Sequence, residues 1–140
     1  MPNGDYAAEF ARLKRLPERA FLTELTEAVQ EHGELMALMP QTVPPAPFAQ
    51  YSLDQQVDMT DLAMELAIER DRGRLYDIVC VKLRYCSLKK NVGDEIDLLV
   101  QLLTALLGIV QPWLTPIPIV ILYAFKKGKF DRLCNCPHED

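Results

Sequence analysis

The segment Asp97–Phe130, DLLVQLLTALLGIVQPWLTPIPIVILYAFKKGKF, holds an unbroken uncharged run at residues 98–125. Such a run is either a membrane segment or the inside of a helical core. A bilayer-crossing helix needs about 20 apolar residues, fewer than this run supplies. The flanks also suit insertion, with acids before the run and Lys126, Lys127 and Lys129 after it. Trp113 and Tyr123 would suit an interface. However, Pro112, Pro116 and Pro118 divide the run. Each half is then roughly 10–15 residues, too short to cross alone. Gln111 and Thr115 at the break would leave backbone groups unsatisfied in lipid. The soluble-core reading is preferred, and a kinked span or re-entrant hairpin formed by 98–125 is the alternative.

Outward from this run, local patterns are helical. DYAAEFARLKRL spaces Tyr6, Phe10 and Leu13 on one helix face. Pro17 suits the first turn of a second helix, along which Phe21, Leu25, Val29, His32 and Leu35 recur. Gly33 interrupts or ends it. Pro40, Pro44, Pro45 and Pro47 forbid a helix and predict an extended linker. Ser52 and Gln55 have the spacing of a capping box that opens a third helix. Leu62 and Leu66 are expected on the apolar face of that helix, and Gly73 at its end or at a kink.

Two segments are ambiguous. In 76–86, Val79, Val81, Leu83 and Tyr85 alternate as in a strand, but Leu75, Val79, Leu83 and Cys86 also recur at helical spacing. The run 117–125 can be read either way. The sequence therefore predicts an all-α single domain over 1–140, a bundle of roughly five to seven short helices. Its expected parts are a helical hairpin at 1–39, a Pro-rich linker or hinge at 40–51 and a main core at 52–140. The alternative is an α+β fold with short strands near 76–86 and 117–125.

The chain has 140 residues, 49% of them hydrophobic, and a net charge of −5. That length supports a real core without help from disulfides. The charge is uneven: residues 1–72 carry a net −7 and residues 73–140 a net +2. An acidic chain lacks the basic footprint of a general nucleic-acid binder. MPNGDYAAEF has neither the basic start nor the apolar run of a signal peptide. A cytoplasmic, reducing location follows, with Cys80, Cys86, Cys134 and Cys136 as free thiols.

No family and no catalytic or nucleotide-binding motif is recognisable, whether GxGxxG, GxxxxGK, HExxH or GxSxG. His32, on the apolar face of its helix, reads as structural. The tail CNCPH offers Cys134, Cys136 and His138 as soft ligands, but C-x-C-x-H lacks the usual zinc spacing. Packing of Cys134 as a small hydrophobe is the simpler reading. Asp61, Glu65 and Glu69 fall four apart on one helix face, more often a solvated or docking face than a cation site. Lys126, Lys127 and Lys129 form a basic counterpart.

A non-enzymatic helical protein–protein interaction or adaptor module is therefore expected, self-associating or regulatory, without cofactor or small-molecule substrate. Asp61, Glu65, Glu69, Lys126, Lys127 and Lys129 are its candidate partner-binding residues. Charge asymmetry of this kind can steer head-to-tail association. Membrane attachment through 98–125 is the alternative function.

Overall fold

A computed structural model describes residues 3–32, 50–107 and 118–137. Gly33, the prolines of the expected linker, the break at Pro112–Pro116 and His138 lie outside the described residues. The elements are α1 (Asn3–Lys14), α2 (Glu18–His32), α3 (Leu53–Arg70), α4 (Arg72–Leu75), a π-helix (Tyr76–Lys82), α5 (Tyr85–Asn91), α6 (Glu95–Leu107), α7 (Pro118–Lys126) and α8 (Lys129–Cys134). Among the described residues there is no strand. The protein is all-α, and the two-strand alternative is excluded at both segments.

The expected faces of α1 and α2 are the buried ones: Phe10 and Leu13, then Phe21, Leu25 and Val29. The carbonyl of Pro17 accepts from the Phe21 amide at 2.9 Å, so proline stands where its missing N–H costs nothing. At the start of α3 the Ser52 hydroxyl accepts from the Gln55 amide, and the Gln55 side chain accepts from the Ser52 amide.

The inward face of α3 differs from the sequence reading. Thr60, Ala63, Met64 and Ala67 are buried, whereas Leu62 points out and is 45% exposed. Helix α3 packs on α2. Two alanines on the buried stripe permit close approach of the backbones, and that rotation carries Leu62 to the outside.

Asp71 closes α3 with its amide on the Ala67 carbonyl at 3.1 Å. The chain continues through α4, which contains Gly73, into the π-helix, where the Leu83 amide donates to Ile78 at 3.0 Å, five residues back. Arg84, at φ 57°, occupies the left-handed region and turns the chain into α5.

Helix α7 is the centre. All six residues Ile119–Ala124 are buried, because α1, α2, α6 and α8 all pack on it. Helix α6 buries Leu98, Leu99, Leu102, Leu103 and Leu106 but leaves Gln101, Thr104 and Leu107 exposed, so it is less uniformly apolar than its composition implied. Both described halves of the uncharged run thus lie inside the protein's own core. Among the described residues no helix is long and apolar enough to cross a membrane.

Candidate functional site

The acidic row of α3 and the basic end of α7–α8 meet within the chain. Gly128, at φ 70°, turns α7 back into α8, a conformation that glycine adopts without strain. The turn directs Lys129 inward, where its side chain is 1% exposed. Lys129 Nζ lies 2.9 Å from Asp61 Oδ1 and 3.2 Å from Glu65 Oε1. The Tyr123 hydroxyl donates to Asp61 Oδ1 at 2.9 Å, and Arg132 Nη2 reaches Glu65 at 3.4 Å.

Burial works to raise the Asp61 pKa. The hydrogen bonds from Lys129 and Tyr123, with the charges of Lys129 and Lys127, outweigh it and hold the carboxyl below its ordinary value. The Tyr123 hydroxyl is shifted up by burial and then by Asp61. A buried ammonium facing two carboxylates is a satisfied ionic brace, tying α8 to α3.

The remaining candidates of the two rows stay outside. Glu69 pairs with Arg72 at 3.4 Å on the surface. Lys126 Nζ stands 4.4 Å from the centre of the Phe21 ring, and Lys127 Nζ 5.7 Å from that of Tyr123. Of the six predicted partner-binding residues, Asp61, Glu65 and Lys129 therefore bind one another first.

The cysteines are not free thiols. Cys80 is bonded to Cys134 and Cys86 to Cys136, with Cα–Cα separations of 5.3 and 5.4 Å. The alternative of Cys134, Cys136 and His138 as soft metal ligands loses its thiolates, since both sulfurs are bonded, and Cys134 sits at the end of α8 as half of a disulfide rather than as a free apolar side chain. Among the described residues no group of His, Cys, Asp or Glu could hold a metal ion. Disulfides persist in oxidising surroundings and are rare in a reducing one, so the free thiols expected from a cytoplasmic location are not what the fold holds. The even number of cysteines was the available signal. Proximity was not, since each partner lies 54 or 50 residues away along the chain.

Beside the second disulfide is an open cavity of about 790 Å³, lined by Cys86, Ser87, Lys89, Lys90, Asn91, Asp131, Cys136 and Pro137. Lys89 is ion-paired with Asp131 Oδ2. Behind this wall Tyr85 is wholly buried, its ring centre 5.8 Å from that of Phe130. Burial raises the pKa of its hydroxyl, and the Asp131 carboxylate adds to the effect. Neither Tyr85 Oη nor Asp131 Oδ1 has a hydrogen bond of good geometry.

Two outward faces complete the surface. On the π-helix Tyr76 and Val81 are 48% and 53% exposed, flanked by exposed Arg74, Lys82 and Arg84. A five-residue spacing joins neighbouring turns of a π-helix, and Asp77 and Lys82 use it to form an ion pair at 3.4 Å. On α3, exposed Leu62 lies in a stripe with Asp58, Glu65 and Glu69, all exposed. The first face is apolar and basic; on the second, Glu65 is paired with Lys129 and Arg132 and Glu69 with Arg72. No protein-family model matches the chain, and the comparisons with curated proteins and with solved structures found no match.

Proposed function

We propose that the protein is a non-enzymatic helical interaction module that associates with further copies of itself, head to tail. The observation that carries this reading is the pair of complementary faces. Tyr76 and Val81 stand among Arg74, Lys82 and Arg84, while Leu62 stands in the acidic row of α3 beside Asp58, Glu65 and Glu69, the last two also paired within the chain to Lys129, Arg132 and Arg72. Three of the four large apolar side chains most exposed among the described residues lie on these two faces. Opposite charges around an apolar centre steer encounter and fix register. Each face has only one or two large apolar side chains at its centre, which suits weak, reversible association. A heterologous contact leaves one free face at each end, so assembly grows beyond a dimer unless a ring closes.

Light scattering coupled to size-exclusion chromatography tests this reading. The mass is expected to rise with protein concentration and to fall with added salt. Val81→Asp and Leu62→Asp each remove one face and are expected to be monomeric alone. Mixed together they retain one intact face each and are expected to form a dimer that does not grow. A monomer at every concentration and salt, or no dimer in the mixture, overturns the head-to-tail reading.

A further inference from the structure

The exposed face of the π-helix depends on that helix's unusual register. In an α-helix of 3.6 residues per turn, residues five apart point roughly 140° away from one another. In the π-helix, which the Leu83 amide closes on the Ile78 carbonyl, they stand on neighbouring turns, so exposed Tyr76 and Val81 share one face. The local sequence does not favour that register. Leu75, Val79 and Leu83 recur at α-helical spacing, yet Leu83 is only half-buried. The segment ends at Arg84, whose φ of 57° is costly for a residue with a side chain and persists only where the surroundings impose it.

Two disulfides grip the segment on both sides of that turn. Cys80 lies in the π-helix between Tyr76 and Val81, and Cys86 lies in α5. Their partners are Cys134, the last residue of α8, and Cys136 just beyond it. Helix α8 itself packs on the π-helix. All four cysteines are half-buried, so neither bridge is shut away from a small dithiol.

We propose that the two disulfides together are a redox switch on the association face. Closed, they hold 76–86 in the register that sets Tyr76 and Val81 side by side. A dithiol reductant opens both. Its thiolate attacks one sulfur of a bridge, a mixed disulfide forms, and the other cysteine leaves as a thiolate that takes a proton. The second thiol of the reductant resolves the mixed disulfide, leaving two cysteine thiols and the reductant as its own disulfide. One dithiol is oxidised for each bridge reduced. The freed segment relaxes to the α-helical register, Arg84 leaves the left-handed region, and Tyr76 and Val81 part. Buried Leu75, Val79 and Tyr85 keep the segment on the core. The loss of association rests on the head-to-tail reading above; the change of register does not.

The test compares the full-length protein, oxidised and after dithiothreitol treatment without air, by NMR and light scattering. A residue at positive φ gives a strong cross-peak between its own amide and Hα protons. Arg84 is expected to show it when oxidised and to lose it on reduction, with the helical circular dichroism retained. The Kd of the mixed dimer of Leu62→Asp and Val81→Asp is expected to rise about tenfold or more on reduction, as the face becomes a minor state. Arg84→Gly removes the cost of the left-handed turn and is expected to narrow the difference between oxidised and reduced protein. A reduced protein that keeps the Arg84 cross-peak, or that loses its helices altogether, overturns the proposal. So does an unchanged Kd. If the oxidised protein never associates, the head-to-tail reading falls, and the Arg84 cross-peak alone decides the switch.

Discussion

Helices α7 and α8 are neighbours in the chain and are held by different forces. Helix α7 has six consecutive buried residues and is surrounded by four other helices. Its place is set by non-directional burial of apolar surface. Helix α8 has only six residues, well below the length at which an isolated helix is stable in water. It does bury Phe130 and Leu133, but directional links dominate its attachment. Lys129 reaches Asp61 and Glu65, Asp131 holds Lys89, and Cys134 and Cys136 are bonded to Cys80 and Cys86. A central helix can rely on packing from all sides, whereas a peripheral helix of two turns needs covalent and ionic ties.

The sharpest way to break this comparison is to reduce both disulfides. Closing the first, across a separation of 54 residues, stabilises by about 4 kcal/mol in the chain-entropy model. The second then closes only a short ring and adds less, because Cys86 and Cys136 are already near neighbours of the first pair. Urea denaturation with and without a reductant measures the total. An unchanged midpoint would show that α8 is held by packing after all.

Next in size is Leu122→Ala in α7, where the side chain is fully buried. A loss of about 3 kcal/mol is expected from the removed methyl groups and the cavity left behind. The urea midpoint under oxidising conditions reads it. A loss below about 1 kcal/mol would mean that α7 collapses easily around the gap, and is less tightly packed than its burial implies.

Lys129→Met removes the ionic brace and leaves Asp61 and Glu65 facing an apolar side chain. Breaking a buried pair costs about 3–5 kcal/mol, but both carboxylates here are partly exposed and are rescued by water. The expected loss is therefore about 2 kcal/mol, read by the same denaturation. Asp61→Asn in the same background should recover part of it.

The smallest effect is in pH. The Asp61 carboxyl has a lowered pKa in the folded protein, so it binds its proton more readily when unfolded. Its contribution is present above the unfolded value, near 3.8, and is lost as pH falls through the folded one. Glu9, lowered by its hydrogen bond to Arg12, acts in the same direction. Stability should fall below about pH 4, and less steeply in Asp61→Asn than in the unmodified protein. Identical acid profiles would remove Asp61 from the brace.

Much of the fold was legible because it is local. Phe10, Leu13, Phe21, Leu25 and Val29 announce their faces by spacing, and Ser52 with Gln55 announces a helix start. The candidate site was legible in parts. Asp61, Glu65 and Lys129 stood out as charged rows, but nothing local shows that the rows face each other across a separation of 64 or more positions. Leu62 misled, because a leucine at helical spacing resembles a core residue until the alanines beside it are seen to face a neighbouring helix. Val81 and Tyr76 carried no signal at all, since exposure is a property of the assembled surface.

The sequence by itself determined the buried stripes of the first two helices and the start of α3, and it favoured, without deciding, an all-α class and a core reading of the uncharged run. These follow from backbone geometry and side-chain periodicity over a few residues. Only the tertiary structure decided the pairing of Cys80 with Cys134 and Cys86 with Cys136, the meeting of Lys129 with Asp61 and Glu65, and the outward turn of Leu62. Each depends on the distance and rotation between helices far apart in the chain, which the packing around α7 sets.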